Sequence, residues 1–143
     1  MGVLDDAGTE VMAASPVRAS IEWEHMDSEE FCASWTISPD DPIFRGHYPG
    51  FLIYPGVCLI ESAHQVALAH ASAHGRSLVL AAIENTRFRR PVFPSNRITV
   101  TGRTVAAADG GHLSCAATVR STRDDGEPRE AARIRLLYAR QIR

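Results

Sequence analysis

The chain has 143 residues, 45% of them apolar and 22% charged, with a formal net charge of −2. That length is enough to bury the core of one ordinary domain, and the near-neutral balance offers no general attraction to nucleic acid or anionic lipid. Every cation is an arginine, which excludes chemistry that requires lysine, such as a P-loop or a Schiff base.

Residues 1–15, "MGVLDDAGTEVMAAS", are acidic and lack the basic stretch and apolar run of a secretory signal. They are expected to form a loose arm, with 16–143 as a single domain. Alternation of apolar and polar residues then marks a strand over 17–25 (Val17, Ala19, Ile21 and Trp23) and another over 31–37 (Phe31, Ala33, Trp35 and Ile37). Period two predicts strands with one buried and one wet face, as in an antiparallel sheet. After a Gly- and Pro-rich stretch, "GVCLIESAHQVALAHASA" is apolar on nearly every side and predicts a helix over 55–74 surrounded by protein. Pro55 suits the first helical position, where its missing N–H loses no partner. Gly75 is a natural left-handed stop just beyond the end.

Four more strands follow, over 77–88, around Ile98 and Val100, from Leu113 to Val119, and from Ile134 to Tyr138. The expected class is α+β, with one curved antiparallel sheet of six strands wrapped around one long central helix. No segment approaches a membrane span. Cys32, Cys58 and Cys115 are odd in number and form no C-x-x-C, which argues against a disulfide framework or zinc site and for a reducing cytoplasm.

Between Arg45 and Arg76 the only formal charge is Glu61. A carboxylate alone on an apolar helix has no local cation to favour its ionised form, and an acid that keeps its proton can donate it to a leaving group. The alternative is a helix-edge acid exposed to water. His47, in "GHYPG", is held in a turn rather than on a helix face. That turn runs into "YPGV", where Gly56 opens the helix and unpaired backbone N–H groups point outward. Base, backbone donor and acid thus occur in order. The combination suits proton abstraction beside a polarised carbonyl, with protonation of a departing group.

These residues resemble the signature of the FabZ-type 3-hydroxyacyl-acyl-carrier-protein dehydratases, which reads H-[FY]-P-G, then P-G-V, then E-x-x-x-Q on the helix. Here "HYPG", "YPGV" and "ESAHQ" match it, with His47, Glu61 and Gln65 in the corresponding places. "RFRRPV" resembles a later strand element of that family. The resemblance implies a hotdog fold and the conversion of a 3-hydroxyacyl thioester to its trans-2-enoyl form, in fatty-acid or polyketide-type biosynthesis. It further implies that His47 is the base, that the Gly56 N–H holds the thioester oxygen, that Glu61 is the acid and that Gln65 orients it. No metal or redox cofactor is implied. The implied partners are an acyl carrier protein bearing the substrate on phosphopantetheine and at least a second copy of the chain, because one site draws its histidine and acid from different subunits. A heterodimer is the variant of that arrangement.

Departures from the pattern fall at Phe51, Leu52 and Tyr54, near the expected path of the acyl chain. Phe51, Tyr54, Phe88 and Phe93 are therefore candidate substrate-binding residues. Arg87, Arg89, Arg90 and Arg97 form the densest cationic stretch and are candidates for docking the acidic carrier. His70 and His74 stand four apart, as a metal pair could, but with no carboxylate nearby in sequence. Packing or contact with the helix C-terminus is their expected role, and His64 and Cys58 are likewise read as structural. Two rival functions remain at this stage: a hotdog acyl thioesterase, and a non-catalytic acyl-binding or heterodimer partner subunit.

Overall fold

A computed structural model of the chain describes residues 2–4, 10–12, 17–46, 53–124 and 126–141. Within the expected arm, β1 (Gly2–Leu4) pairs antiparallel with β2 (Glu10–Met12) in a small separate sheet. The remaining strands are β3 (Glu22–Met26), β4 (Glu30–Thr36), β5 (Leu78–Phe88), β6 (Arg97–Ala106), β7 (His112–Thr122) and β8 (Arg129–Arg140). They form one six-stranded sheet in the order β3-β4-β6-β7-β8-β5, antiparallel throughout. Register shifts in β3, in β5 and between β7 and β8 bend the sheet at these points.

Strand alternation explains the core. Phe31, Ala33 and Trp35 of β4, Ile98 and Val100 of β6, Cys115, Ala117 and Val119 of β7, and Ile134, Leu136 and Tyr138 of β8 all point inward and are buried. The predicted first strand is shorter than its pattern. Residues 17–21 keep the alternation, with Val17 buried, yet only Glu22–Met26 pairs in the sheet. The Val17 carbonyl instead meets a side chain of the central helix.

A short α1 (Ile43–Gly46) precedes that helix, α2 (Gly56–Ala73), which lies against β5, β6, β7 and β8. Pro55 is the N-cap rather than the first helical residue, with φ −60° and ψ 148°. The C-terminus closes as expected: Gly75 adopts φ +73°, its N–H donates to Ser72 O at 3.1 Å, and Arg76 N–H donates to Ala71 O at 2.8 Å. Within this chain a stripe of α2 from Cys58 to Ala71 is buried against the sheet, while Ile60 and Leu68 are half-buried and Val57 is 62% exposed. The sheet covers only one side of the helix, so the apolar residues opposite it stay open.

Two contacts tie the far end of α2 to the β3–β4 turn. His70 is buried, and its Nε2–H donates to the Asp27 carbonyl at 2.6 Å, while Arg76 donates to the Ser28 carbonyl at 3.0 Å. Phe31 packs beside His70, with ring centroids 5.0 Å apart. The same phenylalanine covers Gly102 of β6, where an added Cβ would fall 2.4 Å from Phe31 Cζ. No helix among the described residues is long and apolar enough to cross a membrane.

Candidate active site

Glu61 lies on the half-buried flank of α2, about one and a half turns from the helix start. Gln65 follows four residues later, which places it on the same face. Its Nε2 donates to Glu61 Oε1 and to the Val17 carbonyl, both at 3.3 Å. One amide carries two N–H groups and can serve both acceptors. The Val17 carbonyl thus holds Gln65, and Gln65 in turn restrains the carboxyl.

The neighbouring His64 makes a different contact: Nδ1 lies 2.8 Å from Tyr138 Oη, and the two rings stack at 5.7 Å. Burial holds the His64 imidazole below the ordinary histidine range, against the pull of Glu61, and pushes the Tyr138 phenol up. A protonated phenol and a neutral imidazole thus share one hydrogen bond, whose direction follows the tautomer of the ring. Tyr138 carries no signal in the sequence beyond its place in a strand; it reaches His64 only because β8 passes under the helix.

At the start of α2, Pro55 offers no side-chain cap and Gly56 has no side chain. No side-chain cap from Pro55 meets the first N–H groups, and at such a helix start the dipole favours developing negative charge. Phe88, the last residue of β5, faces this end with its ring over Gly56. A cleft of about 380 Å³ surrounds the pair and is lined also by Ile53, Tyr54, Leu59 and Arg90.

The remaining candidates separate. His47 and Phe51 lie outside the described residues. Tyr54 reaches the cleft but is mainly core: only 2% exposed, it bonds its N–H to Val92 O at 2.7 Å and packs on Phe44 at 5.9 Å between ring centroids. Burial, then the Cys58 thiol, push its phenol up. Phe93 is not beside Phe88; it lies in a second cleft, with the Arg123 guanidinium 5.9 Å from its ring centroid.

Arg87, Arg89 and Arg90 do stand together around Phe88. Arg89 is ion-paired with Glu130 at 2.5 Å, and Arg90 donates to the Glu130 carbonyl at 2.9 Å. Arg97 departs from this group: on β6 it pairs with Glu22 of β3 and donates to Ser34 Oγ at 2.7 Å.

The features read as structural have structural contacts. Cys58 is fully buried, and burial first and Glu61 next push its thiol up to about 11. His74 Nδ1–H donates to the His70 carbonyl at 3.0 Å, so neither histidine of that pair presents a ligand set. Among the described residues, His25, Asp27 and Glu30 bring ligand atoms within 4.8 Å of one another. All three are exposed, and Asp27 Oδ1 already accepts the N–H groups of Glu29 and Glu30 as part of a turn.

Comparison with known proteins follows this geometry. The family described as ApeI-like, ApeI dehydratase, matches residues 23–123. The 3-hydroxyacyl-[acyl-carrier-protein] dehydratase FabZ of Thermus thermophilus is 32% identical over 114 residues, spanning 76% of this chain and 77% of that protein. Its counterpart in Teredinibacter turnerae is 33% identical over 112 residues, 73% of each. Two solved structures share the hotdog architecture. The dehydratase heterocomplex ApeI:P from Xenorhabdus doucetiae has a TM-score of 0.61 at 17% identity, covering 85% of this chain and 100% of that one. A hypothetical thioesterase with coenzyme A from Streptococcus pneumoniae has a TM-score of 0.67 at 11% identity, covering 85% and 86%. At such identities these two likenesses are of fold alone. The matched span and the FabZ relatives go further: this chain belongs to the ApeI-like dehydratase family.

Proposed function

We infer that the chain is a hydro-lyase that converts a 3-hydroxyacyl thioester on an acyl carrier protein to the trans-2-enoyl thioester. The observation that carries this reading is the half-buried Glu61, held by Gln65 on the helix whose glycine start lies under Phe88, in a chain of dehydratase ancestry.

In this reading His47 takes the proton from C2, and the electron pair moves into the thioester carbonyl. The Gly56 N–H at the helix tip stabilises the enolate oxygen as charge develops. The electrons return to form the C2–C3 double bond as the C3–O bond breaks, and Glu61 gives its proton to the departing hydroxyl, which leaves as water. Histidine ends protonated and glutamate ionised, and one proton transferred through water restores both. Gln65 holds the carboxyl toward C3. Phe88 and Leu59 give the acyl chain an apolar wall, and the arginines about Phe88 meet the acidic carrier. No step requires a metal or redox cofactor.

The assembly proposed is a homodimer or a multiple of it, in a cytoplasmic setting. The two edges of the sheet differ in a way that supports it. β3 bears Glu22 and Glu24, charges that discourage edge pairing. β5 carries no charge from Leu78 to Ile83, and Val79 and Ile83 are 49% and 51% exposed. A second copy paired along β5 would also cover Val57, Ile60 and Leu68 of α2.

The test is mass spectrometry of a 3-hydroxyacyl carrier protein incubated with this chain alone. Loss of water from the carrier is expected; release of free acid would mean a thioesterase, and an unchanged carrier would mean a partner subunit that needs another chain.

A further inference from the structure

A second cleft, of about 450 Å³, opens between the β5–β6 connection and the β7–β8 hairpin. Arg90, Arg123 and Arg129 line it together with Phe93, over whose ring the Arg123 guanidinium stands. Asn96, itself buried, closes one wall and donates to Ser121 Oγ at 2.9 Å. Among the described residues, Glu127 is the one carboxylate on the lining. Among the described residues no ion pair engages any of the three arginines. Arg90 is occupied by a carbonyl and Arg123 by the Phe93 ring, while the nearby Glu130 is committed to Arg89 and Arg133. Three arginines against the one described carboxylate leave the hollow with excess positive charge, which an anion would offset. Arg90 and Pro91 line both this hollow and the cleft at Gly56, so the two are neighbours.

We propose that this second cleft binds the phosphate ester at the far end of the substrate's pantetheine handle, an assignment that rests on the dehydratase reading. A pantetheine arm keeps thioester and phosphate well apart, so a protein that grips both needs two contiguous sites. Guanidinium forks match phosphate oxygens in pairs, and the delocalised cation sheds its water readily. The Phe93 ring supplies an apolar surface for the branched carbons next to the phosphate. The phosphate can come from either of two carriers: the phosphodiester of an acyl carrier protein, or the nucleotide of coenzyme A.

Calorimetric titration of the full chain with 4′-phosphopantetheine, pantetheine, coenzyme A and 3′,5′-ADP tests the assignment. Phosphopantetheine is expected to bind at least about tenfold more tightly than pantetheine at low salt, the increment of one or two charged hydrogen bonds. The advantage should shrink as salt rises and disappear in the Arg123→Gln/Arg129→Gln variant. Should that pair fail to fold by circular dichroism, the single Arg129→Gln change, expected to lose part of the preference, replaces it.

If coenzyme A binds more tightly than phosphopantetheine and 3′,5′-ADP binds alone, the cleft serves the nucleotide; if coenzyme A gains nothing, it serves the carrier-bound arm. Equal binding of pantetheine and phosphopantetheine, or a preference untouched by the arginine changes, overturns the assignment. Turnover of a 3-hydroxyacyl N-acetylcysteamine thioester, which has no phosphate, separates the two claims. Dehydration without phosphate preference removes only the cleft assignment, and preference without dehydration removes only the proposed reaction.

Discussion

The ring of Phe88 lies over Gly56 so closely that a Cβ added to the glycine would come 3.0 Å from Phe88 Cζ. Gly56→Ala should therefore cost about 1 kcal/mol as the ring is displaced, whereas in Phe88→Ala the same glycine change should cost almost nothing. Urea denaturation of the four proteins in that cycle gives the coupling. Strict additivity would mean that ring and glycine do not restrain each other.

Glu61→Gln keeps the shape of the side chain and removes its proton chemistry. A loss of about 10²–10⁴ in turnover is expected, with the melting temperature nearly unchanged. His47→Ala should be as damaging. Gln65→Ala removes the bond that steadies the carboxyl, and about a tenfold loss in kcat with little change in KM is expected. Full activity in Glu61→Gln would end its assignment as the acid.

Gly102 makes the opposite kind of prediction, one of stability without chemistry. The Phe31 ring occupies the space above it, 2.4 Å from where a Cβ would stand, between strand β6 and His70 of the helix. Gly102→Ala should lower stability by about 1–3 kcal/mol. Shortening the ring residue by Phe31→Leu in the same chain should recover part of the loss in thermal melts; no recovery would place the strain elsewhere.

Acid should weaken the fold through two histidines. Burial holds His70 below the ordinary range, with His74 and Arg76 pressing the same way and the bond to the Asp27 carbonyl opposing; burial also lowers His64. In the unfolded chain each takes a proton near pH 6.5. Below that point the unfolded state binds more protons, so stability declines as pH falls from about 6.5 toward the lowered folded values and then levels off. Above about pH 7 neither histidine contributes a slope. Melting temperature measured from about pH 8 down to about pH 5 should show this, and His70→Gln should flatten the curve. A parallel curve for that variant would exclude His70 as a source.

Much of this architecture was legible because local periodicity dictates it. Alternation along 31–37 and 113–119 identifies the inward residues, and the i, i+4 spacing brings Glu61 and Gln65 together. Proximity between distant segments was harder to read. Residues 17–21 have a strand pattern but leave the sheet, because the helix side chain of Gln65 claims the Val17 carbonyl. Arg97 follows Arg90 closely in sequence, yet the crossing from β5 to β6 carries it to Glu22 on the other side of the sheet. Arg123 and Arg129 carried no signal at all, since only the β7–β8 hairpin returns them to Phe93. The helix was expected to be enclosed because it is apolar on nearly every side, whereas the sheet of this chain buries a single stripe of it.

The helix carrying Glu61 is a rod clamped at one end. His70, Arg76 and the left-handed Gly75 fasten its tail to the turn between the first two strands of the main sheet, while its head rests on a proline with no side-chain anchor. Packing holds that head: Tyr54, just before it, is buried and bonded to Val92 O, and the Phe88 ring covers Gly56, so the rod is bonded at its tail and pressed at its tip. Glu61 lies between these two supports, its carboxyl set by the helix rather than by a loop.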